Sequence, residues 1–208
     1  MTVFIPFFTG LIAAIVGVLP PGLINMTVAK VRLTDGIKRA LIFVSGALLV
    51  IAIQTYVSVV FARYISQHDE VVATLRTIGL VVFGVLTAYF FFWAKKPTLE
   101  GSDRIQLKSK RSRFFMGMLI SALNLLPIPY YVVISVTLAS YGYFDFSLAQ
   151  ELSLVAGVTS GSFLVFYLYM VFISHLKSKT DWVLRYMNRI MGTITGLVAL
   201  LTLWNLLR

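Results

Sequence analysis

The chain has 208 residues, of which 59% are hydrophobic and only 12% charged, with a mean hydropathy of +0.89. Such a composition excludes an ordinary soluble domain, leaves no room for a separate catalytic one, and marks an integral membrane protein. Cysteine is absent, so disulfides and thiolate metal sites are excluded, and the formal charge of +10 has to be explained by where the basic residues lie.

About 20 apolar residues are needed to cross roughly 30 Å of hydrocarbon. Six segments meet that requirement: 3–28, 37–62, 72–94, 114–139, 149–174 and 187–207. The first begins with no Lys or Arg before Lys30, and its apolar stretch is longer than a signal h-region, so it reads as a retained span. It is also too long for one straight helix, since 26 residues from Val3 to Val28 would reach about 39 Å. Pro20, Pro21 and Gly22 would break it, with Asn25 just beyond. The alternative is a helix ending at Leu19 and an interfacial turn.

The second span carries Gln54 near its middle, either lining a solute path or bonding a neighbouring helix. After the third comes the polar segment 95–113, which divides the chain into three spans and three spans, 1–94 and 114–208. An odd number of crossings per half means that the second half enters the membrane from the other side, as an inverted repeat. Glycines agree with this: Gly10 and Gly117, Gly46 and Gly157, and Gly79 and Gly192 lie at offsets of 107, 111 and 113.

The fourth span is interrupted at Asn124-Leu125-Leu126-Pro127-Ile128-Pro129. These residues lie about 17 to 24 Å beyond Arg113 as a helix, too deep for an interfacial turn. Backbone groups freed by proline at that depth must be buried in protein or face a water-filled cavity. Broken helices in the first span of each half therefore predict a binding region of helix ends and amides near the bilayer midplane, suited to a zwitterion. Its expected members are Pro20, Pro21, Gly22, Asn25, Gln54, Asn124, Pro127, Pro129 and Tyr130. Asn25 and Asn124 could equally serve only the freed backbone, and Tyr130 and Tyr131 could equally be packing aromatics.

In the fifth and sixth spans, Gly157 with Gly161 and Gly192 with Gly196 form GxxxG pairs. Packing within the chain is their default use, with a homodimer along the last span as the alternative. Tyr141, Tyr143, Phe144, Phe146, Trp93 and Trp182 fit an interfacial belt.

Lys and Arg alternate between connections. Regions 29–40, 95–113 and 175–189 hold fifteen of them, against three in 63–76, 140–151 and the carboxyl end. Both termini should thus face outward, with the basic loops in the cytoplasm beside anionic lipid and no nucleic acid needed. No span carries a constellation able to do acid-base or nucleophilic work, so no enzyme is expected. His68 and His175 fall at loop edges, and no cofactor or bound metal is expected.

The length, the hydropathy pattern, Pro20-Pro21-Gly22 followed by Asn25, and Asn124 to Pro129 together resemble the lysine exporter (LysE/RhtB-type) superfamily of bacterial amino-acid efflux permeases. The resemblance covers the whole layout. It departs where Leu23 replaces the second proline of the family's first motif and Ile128-Pro129 stands where a basic residue often follows. It implies an inner-membrane, multi-pass exporter of an amino acid or similar small solute, working by alternating access. Proton coupling, also implied, would need an ionisable side chain in the membrane. Asp35 and Glu151 are the nearest candidates, each set against the reading of a solvated loop charge. The rival functions are an ion or metal-cation exporter of the same superfamily and a non-transporting membrane assembly protein.

Overall fold

In the computed structural model of the chain, residues 3–20, 22–68 and 110–172 are described continuously. Beyond them the described residues are 80–81, 84–85, 87–93, 189, 192–193, 196, 199–200 and 203–204. Pro21, Gly79, His175, Trp182 and the linker from 95 to 109 lie outside them, as do most of the expected third and sixth spans. The chain is all-helical among the described residues.

Residues 1–66 and 100–177 form one compact unit, and 67–99 with 178–208 a second, so each unit draws on both halves of the sequence. In the first unit the helices are α1 (Phe4–Val18), α2 (Leu23–Asp35), α3 (Ile37–Ser66), α4 (Lys110–Leu123), α5 (Pro127–Ser140) and α6 (Leu148–Phe172). Two of these, α3 and α6, are long and apolar enough to cross a membrane alone. The pairs α1–α2 and α4–α5 qualify as well, each bent at its break, by 79° and 65°.

The first break is thus a bend between two helices, α1 and α2. Beyond it, α2 continues as a helix to Asp35, through a stretch expected to be loop from residue 29. Lys30, Arg32 and Thr34 had made that stretch look like loop, yet Val28, Ala29 and Val31 are buried and hold it in the bundle. Gly36, at φ +85°, stops it and allows α3 to start at once.

α1 shows how such a helix suits lipid. Phe4, Phe8, Ile12 and Val16, four residues apart, are exposed along one face, whereas Pro6, Gly10, Ala13 and Ala14 are buried on the other. Small residues there bring backbones together. A Cβ on Gly10 would sit 2.7 Å from the Leu154 carbonyl oxygen of α6, and one on Gly157 would overlap the Phe7 carbonyl of α1. Gly161 meets the Leu11 carbonyl in turn, so the contacts advance together and the two helices run parallel.

The same arrangement joins α3 and α4. Gly46 faces the Phe114 carbonyl and Gly117 the Phe43 carbonyl, each inside normal contact for a Cβ. In all four cases the oxygen belongs to the residue three before the partner glycine. Gly10 and Gly157 thus repeat what Gly117 and Gly46 do, in the pairs that the sequence offsets relate.

Hydroxyls inside the helices are satisfied locally. Thr27, Thr55, Ser58 and Ser135 donate to the carbonyls of Leu23, Ile51, Gln54 and Tyr131, four residues back. Between α5 and α6 the chain turns through Gly142 at φ +74°, with Gly142 and Tyr143 N–H groups donating to Ala139 and Leu138 carbonyls. In the second unit, Tyr89–Trp93 forms a π-helical turn. Gly192 and Gly196 pack there on the Phe91 ring and the Thr87 methyl group.

Candidate functional site

Each break frees backbone groups, and side chains from other segments answer them. At the first, Pro20 contributes no N–H, and Asn25, 3% exposed, donates its Nδ2 to the Val18 carbonyl at 2.6 Å and the Pro20 carbonyl at 2.9 Å. Leu19 O accepts the Tyr169 hydroxyl of α6 at 2.8 Å. The carbonyls of Val18, Leu19 and Pro20 are thereby occupied. α2 then begins after an extended Gly22, which offers no side chain as a cap, and the Met26 N–H donates to the Gly22 carbonyl at 3.0 Å.

At the second break α4 ends with a tightened turn, the Asn124 N–H donating to Ser121 O at 3.1 Å. Gln54 reaches across from the middle of α3. Its Nε2 donates to Asn124 O at 2.9 Å and to Ser121 O at 3.3 Å. Pro127 and Pro129 lack N–H groups, while Ile128 and Tyr130 N–H groups donate to Leu125 O and Leu126 O. Pro127 and Asn124 are half-buried and Pro129 is exposed.

Tyr130 joins the two breaks. Its hydroxyl donates to Ala13 O at 3.0 Å, and its ring lies against Gly17, one turn further along α1. Tyr131 beside it is buried in the core with Val18's neighbours Ala13, Ala14 and Ile24. Asn25, Gln54, Asn124, Pro127 and Tyr130 are thus brought to one region of the first unit, with Pro20 and Gly22 at its edge. Pro21 lies outside the described residues.

Among the described residues, Gln54 Oε1 and Ser121 Oγ are buried neutral oxygens without a hydrogen-bond partner. Buried oxygens without partners carry a desolvation penalty, heavier where no water competes. Ser121 was not expected at the site. Its place one turn before Asn124 is the only sequence signal it had.

Neither carboxylate candidate is solvated. Asp35, at the end of α2, makes a close ion pair with Arg113 of α4, and both side chains are largely buried. Glu151, 1% exposed in the first turn of α6, pairs with Arg63 at 3.3 Å. The two pairs lie near opposite ends of the membrane-length α3, about 40 Å apart at its helical rise. They are remote from the breaks and from Gln54. An open apolar groove of about 520 Å³, lined by Ile42, Arg111, Phe114 and Phe115, is a separate feature of the α3–α4 surface.

A model of the LysE type translocator family matches residues 15–205, a stretch containing both breaks. Comparison with curated proteins and with solved structures gives no match. The chain belongs to the LysE type translocator family: it is a multi-pass membrane transporter and not an enzyme.

Proposed function

We propose that this LysE type translocator exports an amino acid or a similar small zwitterionic solute from the bacterial cytoplasm by alternating access. The observation that carries the reading is the meeting of two bent, broken helices through Tyr130, at a region whose polar groups are backbone, amide and hydroxyl. Helix ends at a break present opposite partial charges, which matches a solute bearing both an ammonium and a carboxylate. Pro20, Pro21, Gly22, Asn25, Gln54, Asn124, Pro127, Pro129 and Tyr130 form the binding region in this reading.

The architecture that goes with it is six spans in two inverted repeats, 1–94 and 114–208, joined by a basic cytoplasmic linker. The reciprocal glycine contacts support it, because an inverted repeat pairs the first span of one half with the second span of the other, twice over. Both termini lie outside, and the start of α3, beside the Asp35–Arg113 pair, faces the cytoplasm next to anionic lipid. Asp35 and Glu151 are the carboxylates available for proton coupling, Asp35 facing Arg113 at the end of the linker and Glu151 facing Arg63 of the first half.

Cells loaded with dipeptides test the function. Expression should lower at least one intracellular amino acid and raise tolerance to its toxic analogue. If neither changes with correctly inserted protein, the assignment fails.

A further inference from the structure

The two breaks leave different groups for a ligand. At the first, the carbonyls of Val18, Leu19 and Pro20 already accept hydrogen bonds, and α2 starts without a side-chain cap. At the second the balance is reversed. The first turn of α5 has two prolines and two amides already donating, so it offers no spare N–H. Among the buried side chains there, what stands unpaired is oxygen: Gln54 Oε1 and Ser121 Oγ, on residues 7% and 1% exposed.

The orientation of Gln54 follows from its partners. Only its NH₂ end can face the Ser121 and Asn124 carbonyls, so Oε1 is necessarily the end left over. Ser121 carries its free hydroxyl on the same residue whose carbonyl Gln54 holds. Ser121 Oγ therefore belongs to the carbonyl end of α4, where the helix dipole is negative, and Gln54 Oε1 to the amide bonded to that end. Neutral oxygens in such a field attract a cation without holding it as a fixed carboxylate would, which suits a site that must also release its solute.

We propose that the second break is the ammonium subsite of the transporter, with Gln54 Oε1 and Ser121 Oγ accepting hydrogen bonds from the solute's protonated amine. The carboxylate then points toward the start of α2. This assignment rests on the amino-acid reading above and goes further, in fixing which way round the solute binds.

The test uses the full-length protein in liposomes loaded with the twenty protein amino acids together with their N-acetyl counterparts. Efflux is followed down the concentration gradient by mass spectrometry, which presupposes no coupling ion. Wild type should release at least one free amino acid about tenfold or more faster than its N-acetyl form, the scale of one lost charge-assisted hydrogen bond. Ser121→Ala should shrink that ratio several-fold by slowing the free amino acid more than its N-acetyl form, and Ser121→Thr should restore it. Equal wild-type efflux of free and N-acetyl forms overturns the subsite and leaves an exporter standing. So does a Ser121→Ala variant that slows both forms equally. No efflux of any solute from wild-type liposomes defeats the amino-acid reading itself.

Discussion

Replacing Asn25 by leucine keeps the volume at the first break and removes the donor that serves two carbonyls, Val18 O at 2.6 Å and Pro20 O at 2.9 Å. A buried carbonyl stripped of its partner costs about 1–3 kcal/mol. Polar contacts between membrane helices are worth less on average, about 0.6 kcal/mol, because alternative partners exist. Here the alternatives are few. Pro20 supplies no N–H, and the Tyr169 hydroxyl is engaged with Leu19 O. The loss should therefore fall near 1–3 kcal/mol, which for a chain of this size lowers Tm by about 2–10 °C. Thermal unfolding of the purified protein in detergent, followed by tryptophan fluorescence, measures it directly. Asn25→Asp, which exchanges the donor for an acceptor facing two carbonyls, should be at least as damaging. An Asn25→Leu protein with unchanged Tm and normal membrane yield would refute the idea that this side chain holds the break together.

Gln54→Leu removes the donor to Ser121 O and Asn124 O and also an unpaired oxygen, so it should cost less, about 1 kcal/mol by the same melting assay. Asp35→Asn leaves Arg113 charged and largely buried, for a loss of about 3–5 kcal/mol, and the double variant Asp35→Asn with Arg113→Gln should recover most of it. Leucine at Gly46 or Gly117 drives a side chain into a facing carbonyl. Each should lower stability by at least about 1–3 kcal/mol and to a similar extent, as measured by Tm, because the contacts are reciprocal. Hydrogen bonds from the Ser147 side chain and N–H hold the Asp145 carboxyl below its usual range. Its contribution to the α5–α6 turn is thus present above the ordinary aspartate pKa and fades as pH falls through the lowered value. Hydrogen exchange at the Ser147 amide, corrected for its intrinsic pH dependence, should lose protection on acidification, and Asp145→Asn should abolish that dependence.

How much of this was legible depended on the distance over which each feature acts. The break at Pro127 and Pro129 declared itself, because proline acts on its own backbone and depth follows from counting. Asn25 was also readable as a partner for the backbone five to seven residues away. Gln54 was readable as a bond to another helix but not to which one, and Tyr169 was not readable at all, since they serve carbonyls 67 to 150 residues distant and only helix pairing brings them there. Pairing itself was half visible. The glycine offsets matched the halves, but nothing in the sequence said that α1 would meet α6 and α3 would meet α4. Glu151 looked like a solvated flank, because its burial depends on Arg63, which lies at the far end of a different helix.

The reciprocal glycines have a mechanical consequence. Where a backbone carbonyl fills the place of an absent Cβ, sliding one helix past the other by a single residue, about 1.5 Å, would drive a neighbouring side chain into that oxygen. The α1–α6 and α3–α4 seams are therefore locked in register, and each pair behaves as one rigid body. Any movement that carries a solute across must be taken up elsewhere. The joints available are the bends beside Pro20 and Pro127, where the hydrogen-bond ladder is already open. The freedom of the chain thus lies at the two bends, between α1 and α2 and between α4 and α5, while the glycine seams hold their helices in register.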